Sequence, residues 1–204
     1  MRRFSSYGPI DTDLHYYAPR TELIDHAVSQ LLGERPEKGG HYITVWAPRQ
    51  TGKSGTLKEA LFRLREDKRF DVLKINLEVL KTEEDIGEIF DYIEEKMVWK
   101  LDKEYTGAVS QKQFENLFKK GKLDKPLILI LDEFDALSED AISAIVGAFR
   151  NIYMVRQEQS DKPTEEKDYL LHSVALIGVR SVLGIENQKG SPFNLDSRKI
   201  VTMI

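Results

Sequence analysis

A glycine followed by a lysine and a hydroxyl residue is a combination suited to handling phosphate, and the segment Ala47-Pro48-Arg49-Gln50-Thr51-Gly52-Lys53-Ser54 ends in one. The pattern for a phosphate-binding loop is G-x-x-x-x-G-K-[ST], set between a strand and a helix. Only its first glycine differs here, replaced by Ala47. In such a loop successive backbone N–H groups surround the β-phosphate, and the helix N-terminus adds donors and a favourable dipole. Gly52 lets the backbone approach where a Cβ would collide. Lys53 neutralises charge on the β- and γ-phosphates, and Ser54 offers its hydroxyl to magnesium. Alanine is the smallest departure at position 47, costing about 1 kcal/mol if that position needs a positive φ. Gly55 weakens the first helical turn. The bland alternative is a strand-to-helix turn that happens to contain Gly-Lys-Ser.

A second motif argues against that alternative. Leu127-Ile128-Leu129-Ile130-Leu131 is apolar on both faces, as a central parallel strand should be, and runs straight into Asp132-Glu133-Phe134-Asp135. Five aliphatic residues ending in Asp-Glu form the Walker B pattern. In an open parallel sheet ligands gather outside the carboxyl ends of the strands, so Asp132 is expected beside the phosphate loop, holding magnesium through a water. Glu133 is expected to orient and polarise the attacking water, the positioning on which phosphoryl transfer depends. Asp135 either joins this group or caps the turn before the next helix.

Weaker signals surround these two. Arg180 or Ser181, just after a later apolar strand, either senses the γ-phosphate or is a polar strand end. Arg150 and Arg156 are either arginine fingers across a subunit interface or solvated helix-face residues. The tract Tyr16-Tyr17-Ala18-Pro19-Arg20 either flanks an adenine, with Tyr17 and Arg20 as contacts, or anchors the N-terminal segment. His15, His26, His41 and His172 show no metal-ligand spacing, and Lys119-Lys120-Gly121-Lys122 reads as an exposed turn.

The elements that must position these residues follow from periodicity. Leu23, Ile24, Ala27, Val28, Leu31 and Leu32 recur at helical spacing, and Gly33 and Pro36 end the pattern. His41–Trp46, rich in β-branched and aromatic residues, reads as a buried strand. A helix from near Gly52 carries Leu57, Ala60, Leu61 and Leu64 on one face. Phe70–Leu77 is a second strand, 83–101 an amphipathic helix, and Phe114, Leu117 and Phe118 mark a short helix closed by Gly121. Ser138 N-caps a helix that buries Ile142, Ile145, Val146, Phe149 and Ile152. Residues 157–168 read as a polar, mobile loop, Val174–Val179 as a fourth strand and Lys199–Met203 as a fifth. This alternation predicts an α/β fold: a three-layer αβα arrangement around a mainly parallel five-stranded sheet. Residues 1–40 are an N-terminal extension with a helix, and 41–204 the core, with no sharp boundary between them.

Composition narrows the classes. The chain of 204 residues is 41% hydrophobic and 31% charged, as ordinary globular domains are. A net charge of -4 gives no sign of a strongly nucleic-acid-binding surface, although a local basic patch stays open. With no cysteine, disulfides, thiolate metal sites and cysteine nucleophiles are excluded. Neither a signal peptide nor a run of about 20 apolar residues is present, so a cytoplasmic location is expected.

From about Phe4 to Phe193 the chain resembles AAA-like ATPases of the P-loop superfamily that carry an APRQ-x-GK-[ST] phosphate loop. The segments that carry the resemblance are YYAPRTELI, HYITVWAPRQTGKS, LILILDEFDAL and VALIGVRSVLGIENQKGSPFN. The resemblance makes Ala47 part of the family's own pattern and the first segment similar to the box that contacts adenine. It implies ATP and Mg2+ as ligands, a sheet in which the Walker A and Walker B strands are not neighbours, and glutamate-dependent ATP hydrolysis. A protein partner or homo-oligomer is expected with the nucleotide. These ATPases continue into a helical lid after the fifth strand, and the end at Ile204 reads either as a truncation before it or as a form that lacks the lid, which leaves a nucleotide-dependent switch with negligible turnover as the alternative. A kinase for a small substrate is disfavoured by Glu133.

Overall fold

The computed structural model describes residues 14–16, 20–46, 53–178 and 200–202. Five strands form one sheet: β1 (Tyr42–Trp46), β2 (Asp71–Asn76), β3 (Leu127–Asp132), β4 (Leu171–Gly178) and a three-residue β5 (Ile200–Thr202). Their order is β2-β3-β4-β1-β5, and every pairing is parallel. The strand that leads into the Ala47–Ser54 segment and the strand that ends in Asp132 are therefore separated by β4, the strand arrangement that the resemblance implied.

Helices cover both faces because both faces are apolar. Residues alternate across each strand. Leu127, Leu129 and Leu131 of β3 join Leu73, Ile75, Val174 and Leu176 on one face. Ile128 and Ile130 join Ile43, Val45, Ala175 and Ile177 on the other. The first face packs against α3 (Ile86–Leu101), α4 (Gln111–Asn116) and α5 (Glu139–Glu158) through Phe90, Ile93, Phe114 and Phe149. The second packs against α1 (Thr21–Leu32) and α2 (Lys53–Glu66) through Ala27, Leu31, Leu57, Leu61 and Leu64. Each helix begins or ends where its side chains permit. Ser138 caps α5 by accepting from Ala141 N–H, and Asp85 caps α3 by accepting from Gly87 N–H. At the end of α1, Gly33 has φ +81, and a Cβ there would lie 2.2 Å from the Gly39 carbonyl oxygen.

Two readings need correction. The stretch 157–168 is not a loose loop: α5 runs to Glu158, a short 3-10 turn spans Thr164–Glu166, and both Thr164 and Lys167 are buried. Arg156 is neither solvated nor aimed at a neighbouring subunit. It is 4% exposed, its guanidinium donates to the Tyr169 carbonyl and, at 2.8 Å, to Thr164 Oγ1. Thr164 Oγ1 lies 3.1 Å from His172 Nδ1, and His172 Nε2 lies 3.1 Å from the Leu32 carbonyl oxygen. A carbonyl can only accept, so Nε2 carries the proton and Nδ1 accepts from the Thr164 hydroxyl. Lys167 closes the network by donating to the Arg156 carbonyl. The strand after it starts at Leu171, three residues before the apolar run does, because His172 and Ser173 are buried within it.

Among the described residues no helix is long and apolar enough to cross a membrane.

Candidate functional site

The carboxyl ends of the strands meet at one edge of the sheet. Trp46 at the end of β1 pairs with Gly178 at the end of β4, and Asn76 of β2 pairs with Asp132 of β3. The α2 helix begins at Lys53, with Ser54 in its first turn, after β1 ends at Trp46; the first turn of a helix leaves backbone N–H groups unpaired. Gly55 follows in that turn, exposed, with open space where a Cβ would stand. Ala47, Pro48, Arg49, Gln50, Thr51 and Gly52 lie outside the described residues, as do Tyr17, Arg180 and Ser181. Arg20 is placed at the N-cap of α1 and is exposed. Arg150 lies on the exposed side of α5.

Asp132 continues the Ile128, Ile130 alternation, which turns it toward the α1/α2 face of the sheet. Its side chain is 7% exposed. Both carboxylate oxygens are engaged: Oδ1 accepts from Glu133 N–H at 3.1 Å, and Oδ2 is 2.6 Å from Lys74 Nζ. Lys74 lies on β2, the neighbouring strand, two residues before the partner of Asp132 and on the same face. Burying a carboxylate without a partner would cost several kcal/mol, and this ammonium offsets that cost. Sequence reasoning missed Lys74. The signal was present, since a single lysine interrupts the apolar residues of Val72-Leu73-Lys74-Ile75.

Glu133, next in the chain, has φ 55 and ψ 40, one of two non-glycine residues in the left-handed region among those described. That conformation costs about 1 kcal/mol or more and turns the chain off the end of β3 into a 3-10 turn over Phe134–Ala136. The following Asp135 does not cap α5, a task that falls to Ser138. Instead its side chain lies over Gly178: a Cβ at that glycine would stand 2.7 Å from Asp135 Oδ1. Glycine at the end of β4 is what lets the Asp135 carboxyl approach the sheet. Asp132, Glu133 and Asp135 thus crowd the ends of β3 and β4.

The chemistry of this edge is that of hard oxygen donors. Magnesium takes one or two carboxylates, keeps several waters and shares the phosphates of a nucleotide, and the buried Asp132 carboxylate at the end of β3 is a donor of that kind. Among the described residues no group of three or more His, Cys, Asp or Glu is arranged to hold a metal ion by itself.

Parallel strands in the order β2-β3-β4-β1-β5, flanked by helices on both faces, form a three-layer αβα fold, and the solved structures it resembles, in fold only, include the ATPase domains of replication-initiator proteins. Similar solved structures have the same character. Cdc6p from Pyrobaculum aerophilum matches with a TM-score of 0.60 at 16% identity, over 90% of this chain and 45% of that one. The ORC1 protein of Aeropyrum pernix, solved in complex with DNA, matches with a TM-score of 0.58 at 15% identity, over 92% and 46% of the two chains. Drosophila ORC bound to poly(dA/dT) DNA and Cdc6 matches with a TM-score of 0.54 at 12% identity, over 89% and 28%. The chain spans just under half the length of the first two. Identities this low carry the fold and nothing finer. No family model and no curated protein matches the chain.

Proposed function

We propose that this chain binds ATP with magnesium and hydrolyses it, residues 1–40 forming an extension on a P-loop core that spans 41–204. The observation that supports this best is the pairing of two features at one sheet edge. A buried Asp132 followed by Glu133 ends β3, while β1 leads into a segment that closes with Gly-Lys-Ser at the start of α2. In this reading Ala47–Gly55 cradle the phosphates, Lys53 neutralises their charge, and Ser54 and Asp132 hold magnesium. The metal supplies charge neutralisation across the phosphates. Glu133 orients the attacking water and accepts its proton. Tyr17 and Arg20 flank the base, and Arg180 senses the γ-phosphate. The location that goes with this activity is the cytoplasm, with a protein partner or a second copy of the chain as the associate.

The test is steady-state phosphate release at saturating magnesium and ATP, set beside nucleotide affinity. Replacing the Glu133 carboxylate by an amide, as Glu133→Gln, should lower turnover by roughly 100-fold or more while leaving ATP binding intact. Equal turnover in parent and variant would refute the assignment. ATP binding without phosphate release would favour the nucleotide-dependent switch. Two of the similar structures contain DNA. With a net charge of -4, this chain should bind duplex DNA weakly at physiological salt.

A further inference from the structure

The ion pair between Lys74 and Asp132 has a consequence for the metal assigned above. Asp132 Oδ1 accepts from the Glu133 N–H, and Lys74 Nζ sits 2.6 Å from Oδ2, covering the second oxygen with a positive charge. The lysine is held in place rather than draped on the surface. It is fixed in register between Leu73 and Ile75 on a strand paired along its whole length with β3, and its side chain is 27% exposed against 7% for Asp132. Its backbone carbonyl is bonded in turn by Lys100 Nζ at 3.2 Å from α3. An ammonium so placed does two opposing things. It holds a buried carboxylate pointed in one direction, which prepares the site. It also puts a unit positive charge where a divalent cation would draw near, which repels that cation.

We propose that Lys74 is a positioning residue for Asp132 and a resident competitor of the metal, so that it sets the magnesium concentration at which the site accepts nucleotide. The inference rests on the assignment of Asp132 to magnesium. Lys74 does not touch the nucleotide; it acts through the carboxylate. For Asp132 to hold magnesium, the Lys74 ammonium would have to leave Oδ2, and from the edge strand β2 it would turn to solvent. At low magnesium the pair stays closed and nucleotide binds weakly.

The experiment is a titration of magnesium at fixed chain and fixed fluorescent ATP analogue, on the parent, Lys74→Gln and Lys74→Arg, with a parallel series in EDTA. The glutamine variant should reach half-saturation at about tenfold less magnesium, the change given by about 1.4 kcal/mol of relieved repulsion. The arginine variant keeps the charge and should stay within about twofold of the parent. Affinity in EDTA should be the same for all three. An unshifted midpoint in Lys74→Gln, with nucleotide still bound, would overturn this inference and leave the ATP assignment standing. A parent that binds no nucleotide at any magnesium concentration would overturn both. Should Lys74→Gln fail to fold, lysine Nζ resonances of the parent give the same answer. The Lys74 signal should move with magnesium and nucleotide together and stay put with nucleotide in EDTA; a signal that never moves refutes the competition.

Discussion

Lowering the pH from 7 to 5 should destabilise this chain by about 2 kcal/mol through His172 alone. The imidazole is 1% exposed, and burial pushes its pKa down to about 3, with Arg156, Lys167 and Arg69 nearby reinforcing the effect. In the unfolded chain it titrates near 6.5. Between those values the unfolded state binds a proton that the native state refuses, so stability is complete above about pH 6.5 and falls as pH drops toward 3. Each pH unit in that window costs about 1.4 kcal/mol, so the drop from 6.5 to 5 costs about 2 kcal/mol. For a chain of this size that is roughly 4–8 °C in Tm. The hydrogen bonds agree with the sign. Nδ1 must accept from Thr164 while Nε2 donates to Leu32, and only the neutral ring does both. The assay is urea unfolding followed by circular dichroism at pH 7 and pH 5, on the parent and on His172→Gln. The variant keeps an acceptor and a donor but cannot titrate. It should be less stable at pH 7 and lose about 2 kcal/mol less than the parent on acidification. Equal losses in the two proteins would show that His172 is not the group responsible.

Glu94 offers a test of a buried carboxylate. It is 1% exposed on α3 and accepts from Thr106 N–H at 2.5 Å, Thr106 Oγ1 at 2.6 Å and Ala108 N–H at 2.6 Å. Glu94→Gln sets an NH2 group against one of these donors and should cost roughly 2–3 kcal/mol by denaturant unfolding, with amide exchange at Thr106 and Ala108 rising most. Asp102 has φ 53 and ends α3, where a negative charge opposes the helix dipole. Asp102→Gly should therefore raise stability by about 1 kcal/mol, read as an increase in the urea midpoint without a change in slope.

The strands and helices were legible wherever apolar residues set the period. The runs at 42–46, 71–76 and 127–132 and the stripes of α1, α3 and α5 needed no more than alternation and 3.6-residue spacing. The Asp132-Glu133 pair was legible because an aliphatic strand points at it. What escaped were polar residues that are buried. Arg156, Thr164, Lys167 and His172 satisfy one another in the interior, and from the sequence such residues look the same as solvated ones. The polar stretch 157–168 was therefore read as loose. Glu94 lies on α3 beside the buried Ile93, where charge ordinarily means solvent, and its partners Thr106 and Ala108 are on a loop whose path periodicity does not give. Lys74 was hidden for a related reason: its partner is one strand away in space and more than fifty positions away in the chain. Local patterns report which face a residue occupies, and long-range pairings decide what a charge on that face meets.

The strand order also bears on the order in which the sheet can be assembled during synthesis. Among the described residues β1 pairs with β4 and β5, both later in the chain, while β2 and β3 pair with each other. As the chain is made, β2 and β3 can zip together with α3 once Asp132 has emerged. β1, made long before, gains its β4 partner when Leu171–Gly178 is synthesised. A nascent chain can therefore form the β2–β3 pair before the strands that pair with β1 exist.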